Sequence, residues 1–241
     1  MRILVLGASG ATGRLVVEQL IKRRQRVRII VRSSKDLSSM ITDSDLVEVT
    51  YASVLDLTDQ QMIEQVQGCE AVVSCLGHNL TFKGIFGQPR RLVTDAIKRV
   101  YRSINAIQPA TPIKLVLMST TGFQNQVEGE KVSMAHRAIV SLLRVTLPPH
   151  VDNEQAALFL QAQHKQLSKC IEWAAIRPDS LVDHTQVTPY HLHASPQHDP
   201  IFDSQKTSRI NVAHFIVELV TTPRIWDKWR SKLPVIYNES F

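Results

Sequence analysis

The chain has little of what builds cross-links, metal centres or membrane anchors. Three cysteines, Cys69, Cys75 and Cys170, occur in 241 residues. An odd, unpatterned trio excludes a disulfide framework or a cysteine-based zinc site, and fits buried thiols kept reduced. No apolar run approaches the roughly 20 residues of a membrane-spanning helix, so no membrane partner is expected. No charged leader with a cleavage site precedes the first apolar run at Ile3, and the expectation is a cytoplasmic protein. His191, His193 and His198 share one segment, but their spacing matches no zinc pattern, so no metal is expected.

Aromatic residues make up only 6% of the chain. The formal net charge is +6, which suits an anionic small-molecule ligand as well as it suits nucleic acid. The basic residues are scattered except for Lys22-Arg23-Arg24 with Arg26 and Arg28, read as a solvated face. Trp226 and Trp229 lie beside a proline and are expected to pack the C-terminal region on the core. No nucleic-acid partner is expected.

Glycine is scarce as well, nine in all, yet Gly7, Gly10 and Gly13 fall close together. The apolar run Ile3 to Leu6 leads into them. Leu15, Val16, Leu20 and Ile21 follow at the spacing of one helical face. Strand, glycine turn and helix place a pyrophosphate on a helix N-terminus. One glycine permits the turn, one lets backbone approach phosphate, and one lets the helix pack on the strand.

Further strands and helices alternate along the chain. Strands are expected at 27–31, 46–51, 71–76, 113–118, 172–176 and 234–237. Helices are expected from Thr58 or Asp59 to Val66, from near Pro89 to Ile107, over 134–147 with Pro148-Pro149 as terminator, over 153–167, and over 211–220. Residues 183–208 are rich in His, Pro, Ser and Asp and read as loop. This order predicts an α/β fold of Rossmann type, a doubly wound parallel sheet with helices on both faces. One domain is expected over 1–241, with 183–241 as a small C-terminal substrate lobe over the cleft.

In such sheets the end of the second strand separates NAD from NADP. Here β-type residues Arg28 to Val31 run into Arg32-Ser33-Ser34-Lys35, and the first carboxylate, Asp36, comes late. Arg32 offers a planar fork for a 2′-phosphate and Lys35 a second positive charge. NADP(H) is therefore preferred over NAD(H).

The string Gly7-Ala8-Ser9-Gly10-Ala11-Thr12-Gly13-Arg14 resembles the short-chain dehydrogenase/reductase superfamily. The match is to its NmrA-like and biliverdin-reductase-B-like (flavin reductase) members. The resemblance implies cofactor contacts from Gly7, Ser9, Gly10, Ala11, Thr12 and Gly13. It implies adenine contacts from Asp56 with Val54 and Leu55, and places Leu76 and Gly77 beside the adenine ribose. It implies a nicotinamide-side or catalytic hydroxyl at Ser119, with Thr120 next to it, and a nicotinamide border at Pro178 in Arg177-Pro178-Asp179-Ser180-Leu181. Thr207 to Ala213 resembles the segment that opens the family's C-terminal helix.

The family's usual proton relay, a tyrosine with a lysine four residues on, is missing. The residues four beyond Tyr51, Tyr101, Tyr190 and Tyr237 are Leu55, Asn105, Ala194 and Phe241. Counting back from Arg177-Pro178, the relay lysine would fall near Ala157 or Leu158. Flavin-reductase-like members also lack the tyrosine and transfer hydride to a planar acceptor. Their Pro-Pro linker and acidic helix start resemble Pro148-Pro149-His150-Val151-Asp152 here. His78 and His136 are placed by sequence near the cleft, although a lone histidine is ordinarily a satisfied polar group. Two functions follow: an NADPH-dependent oxidoreductase acting on a small-molecule acceptor such as a flavin or quinone, or a non-catalytic NADP(H)-sensing regulator of NmrA type.

Overall fold

The computed structural model describes residues 1–35, 37–78, 88–122, 130, 148–164, 169–200 and 202–239. Its elements are β1 (Arg2–Leu6), α1 (Ala11–Lys22), β2 (Arg26–Val31), α2 (Ser39–Thr42), β3 (Val47–Tyr51), α3 (Asp59–Val66) and β4 (Ala71–Ser74). They continue with α4 (Leu92–Ile107), β5 (Ile113–Met118), α5 (Pro148–His164), β6 (Ile171–Pro178), β7 (Ser180–Val182), β8 (Tyr190–His193) and β9 (Lys206–Ser208). The last are α6 (Arg209–Thr221), α7 (Pro223–Trp229) and β10 (Val235–Asn238).

The main sheet has the order β3-β2-β1-β4-β5-β6-β10-β8. Strands β1 to β6 and β10 run parallel, and β8 closes the edge antiparallel to β10. The strand order reverses between β1 and β4, which makes that boundary the switch point of a doubly wound sheet. Strands β7 and β9 form a separate two-stranded parallel pair.

Alternation in β1 sorts the two faces. Ile3 and Val5 pack with Val16, Val17 and Leu20 of α1 and Phe215 of α6. Leu4 and Leu6 pack with Met62 of α3, Ile97 and Val100 of α4 and Leu160 of α5. Each cluster covers one face of the sheet, so a doubly covered parallel sheet follows from near-continuous apolar strands. Cys69, Cys75 and Cys170 are all free and buried, as expected.

The start of α3 is a capping box, with Thr58 and Gln61 each satisfying the other's backbone amide. The start of α5 differs from expectation. Pro148 and Pro149 open that helix, ahead of the expected start at 153, because a proline at the first turn gives up an amide that has no helical partner anyway. The expected helix over 134–147 and His136 lie outside the described residues.

Two further expectations change. The 183–208 segment contains β8 and β9. Its Tyr-His-Leu-His stretch is polar because it is an edge strand, one side of which faces water. The basic cluster is not merely solvated. Arg23 of α1 binds Glu218 and Thr221 of α6. Arg28 binds Glu48 and the carbonyls of Glu64 and Gln65. As expected, Trp226 and Trp229 are buried, and the Trp226 indole donates to Glu172 at 2.5 Å. Among the described residues no helix is long and apolar enough to cross a membrane.

Candidate functional site

A cleft of about 330 Å³ lies along the C-terminal ends of the parallel strands. It is lined by Gly7, Ser9, Gly10, Ala11 and Thr12 after β1, Arg32 after β2, and Ser53 and Val54 after β3. On the other side of the switch point stand Cys75, Leu76, Gly77 and His78 after β4, Met118 at the end of β5, Leu181 after β6, and Arg209 at the start of α6. Ligands of doubly wound sheets bind at such a place.

The glycine turn is shaped for backbone approach. Gly7 has φ of +77°, and a Cβ there would sit 2.6 Å from the Cys75 carbonyl oxygen. Gly13 carries the close packing of α1 on the turn. Gly10 is the N-cap of α1, with no side-chain cap and no acidic residue in the first turn. A Cβ there would have one tight neighbour, the Gly7 oxygen at 3.2 Å. The first-turn amides thus face the cleft end of α1 unspent on any side chain, which fits a pyrophosphate. At Gly77 a Cβ would meet nothing within 4 Å among the described residues.

Arg32 is exposed and has no ion pair or hydrogen bond among the described residues. Lys35 is also exposed, and its backbone amide donates to Ser33 Oγ at 3.1 Å; it is not part of the cleft wall. Asp36 lies outside the described residues. Asp56 is exposed in the turn after β3, its amide bonded to the Ser53 carbonyl at 3.0 Å. That turn is set by a residue the sequence did not single out. The Arg99 guanidinium of α4 donates to the carbonyls of Val54 at 3.3 Å, of Leu55 at 2.6 Å and of Leu57.

Beyond the switch point, His78 and Asp152 form a pair. His78 Nε2 lies 2.8 Å from Asp152 Oδ2, with their side chains 5% and 1% exposed. Asp152 is on α5 but caps α4. Its carboxylate accepts from the amides of Val93 at 2.8 Å and Thr94 at 2.9 Å, which the N-cap residue Arg91 cannot serve. Burial pushes the Asp152 carboxyl up, but the hydrogen bonds from His78, Thr94 and Val93 outweigh it and hold the group below the usual carboxylate range. Cys75, in the same wall, is pushed up to about 12 by burial, which keeps it a thiol.

The ends of β5 and β6 hold the remaining expected residues. The Ser119 amide donates to the Ile176 carbonyl at 2.8 Å, and its Oγ is buried with no partner among the described residues. Thr120 Oγ1 accepts from the Gly122 amide at 3.2 Å. Pro178 accepts from the Thr121 amide at 3.2 Å. Gly13, Lys35, Leu55, Asp56, Ser119, Thr120 and Pro178 are outside the wall of the described cleft, the last three lying deeper at the strand ends. Arg177 is fully buried, bonded through Nε to the Leu233 carbonyl at 2.9 Å and through Nη2 to Glu130 at 2.7 Å and the Ala194 carbonyl at 3.1 Å. Arg209 pairs with Asp183 at 2.9 Å.

No curated protein sequence matches the chain. Solved structures do match it in fold. An oxidoreductase, ylbE, from Lactococcus lactis is 18% identical with a TM-score of 0.69, over 100% of this chain and 92% of that one. ChuY, an anaerobilin reductase from Escherichia coli O157:H7, is 15% identical with a TM-score of 0.69, over 100% and 98%. A short-chain dehydrogenase/reductase from Veillonella parvula in complex with NADP is 16% identical with a TM-score of 0.67, over 99% and 95%. The model of the NAD(P)H-binding family matches residues 7–223. With its glycine turn, switch-point cleft and 3-2-1-4-5-6 strand order, the chain belongs to that NAD(P)H-binding family.

Proposed function

We propose that the protein is a reductase that binds NADP(H) in this cleft and passes hydride to a planar acceptor such as a flavin or quinone. The observation that carries the cofactor choice is Arg32. It stands at the end of β2, in the cleft wall, with no carboxylate partner among the described residues. The glycine turn and the start of α1 would hold the pyrophosphate, Val54 and Asp56 the adenine end, and Leu76 and Gly77 the ribose. When bound, the cofactor supplies the hydride. Ser119, Thr120 and Pro178 would border the reacting end, with Ser119 orienting it. The 183–241 segment, which brings Arg209 to the cleft, would close over the acceptor. The likeness in fold to an anaerobilin reductase supports a reductase acting on a small molecule.

Calorimetric titration tests the reading. NADPH is expected to bind roughly ten- to hundredfold more tightly than NADH, the worth of a charge-assisted hydrogen bond. Arg32→Ala is expected to erase that difference. Equal affinities in the unaltered protein would overturn the phosphate assignment. NADPH binding without turnover of any flavin or quinone would replace the reductase with the dinucleotide sensor, which the missing tyrosine-lysine relay also allows.

A further inference from the structure

We propose that His78, oriented by Asp152, is the acid–base group of the cleft, and that its acceptor carries a conjugated carbonyl oxygen, as quinones do. This rests on the reductase reading above and goes beyond it, because that reading names no proton donor.

Position is the first argument. The β1–β3 half of the cleft holds the glycine turn, Arg32 and Val54. His78 leaves β4 on the other half, with Met118 and Leu181 as the neighbouring wall. On that half Leu76 and Gly77 would meet the ribose, which leaves His78 with Met118 and Leu181 for the reacting end of the cofactor and for the acceptor. Asp152 stands on α5, the helix after β5, a few residues before the position where the absent relay lysine would fall.

Hydrogen bonding is the second argument. The Asp152 carboxylate already receives two backbone amides. Being ionised, it has no proton to give, so His78 Nε2 must be the donor in their 2.8 Å contact. The tautomer is thereby fixed, and Nδ1 becomes the nitrogen that exchanges a proton. Nδ1 has no partner among the described residues, on a side chain only 5% exposed. The other charged groups along the cleft are Arg32 and Arg209, neither of which releases a proton, and Cys75 is a protonated thiol. A bland account exists: Asp152 caps α4 and His78 merely completes its bonding. It leaves Nδ1 unexplained.

The step balances as follows. The acceptor gains hydride, and with it two electrons, from the reduced nicotinamide, which is left oxidised. Negative charge collects on the acceptor's carbonyl oxygen. That oxygen takes the proton from Nδ1 of the imidazolium; the N–H bond breaks, its electron pair stays on nitrogen, and an O–H bond forms. Solvent returns a proton to the neutral ring.

Nitrogen-15 NMR of the histidines in the cofactor-free protein reads the tautomer directly. His78 is expected as the Nε2–H form, and as a mixture in Asp152→Asn. Kinetics with menadione and NADPH supply the second readout. His78→Gln is expected to lower kcat by about a hundredfold or more, the usual worth of a general acid, with NADPH affinity unchanged within about threefold. Added imidazole is expected to restore much of the rate to His78→Ala, which a structural role would not allow; if that variant fails to fold, His78→Gln and His78→Asn decide. Wild-type kcat in His78→Gln, or an Nδ1–H tautomer in the unaltered protein, overturns the proposal while leaving the reductase reading intact. Unaltered protein that binds NADPH but reduces neither menadione nor FMN overturns both.

Discussion

A Cβ placed on Gly13 would lie 2.1 Å from the carbonyl oxygen of Gly7. Helix α1 can sit on the turn that follows β1 only because residue 13 has no side chain. The glycines of this turn therefore divide their labour, and substitution separates the parts.

Gly13→Ala is expected to force backbone apart and lower stability by about 1–3 kcal/mol or more, as overpacking does. Gly10→Ala meets one tight contact, with the Gly7 carbonyl oxygen, which must give by a few tenths of an ångström, and is expected to shift the melting temperature by a few degrees. Its NADPH affinity should nevertheless drop tenfold or more, since the new methyl occupies the approach to the helix terminus. Thermal melts paired with calorimetry check both. Normal binding in a folded Gly10→Ala would make the turn a mere corner.

Arg177 is read from the sequence as part of a nicotinamide border. In the fold its side chain is a buried anchor that ties β6 to the Leu233 and Ala194 carbonyls and to Glu130. Glu130→Gln leaves that guanidinium short of its countercharge. Loss of one partner of a buried pair costs about 3–5 kcal/mol, and urea unfolding should show a loss of that order. A change under about 1 kcal/mol would mean the pair is dispensable.

Asp152 sets a pH dependence. Its folded-state pKa is lowered, so its contribution to stability is full above the unfolded value of about 3.9 and is lost as pH falls through the folded value. Asp152→Asn should be less stable than the unaltered protein at neutral pH. The gap should narrow as pH falls below about 4. Denaturation across that range measures it, and a gap independent of pH would contradict the assignment.

Arg99→Met keeps the aliphatic stem but removes the donors that hold the turn after β3. Stability should fall by about 1.5–3 kcal/mol, the usual worth of hydrogen bonds from a charged group. Dinucleotide affinity should fall with it, because Val54 loses its fixed place. Unchanged affinity would show that the turn needs no staple.

The first βα unit was legible because its apolar run, its glycines and its helical face are local patterns. The same holds for Thr58-Gln61, whose capping box lies within one turn. Strand β8 was not legible, since Tyr190-His191-Leu192-His193 has the polarity of a loop and becomes a strand only by pairing with β10. The start of α5 at Pro148 was not legible, because proline ends and begins helices with the same letters. His78 and Asp152 lie 74 positions apart, and each alone looks like an ordinary polar residue. Their pairing is set by where α5 meets the start of α4, which no local window contains. Ser119 is named by resemblance; that its buried hydroxyl has no partner among the described residues is visible only in the fold.

The Arg99 staple has a meaning for redesign. The turn that would meet the adenine is tethered from α4, a helix on the far side of the switch point, and touches the β2 end only through the Ala52 amide on the Val31 carbonyl, ahead of Arg32. Residues 32–35 can therefore be exchanged for an acidic cofactor-selecting sequence while the neighbouring turn keeps its shape. On the NADP(H) reading proposed above, a swap to NAD(H) becomes a short graft at one strand end, with the rest of the nucleotide cradle left as it is.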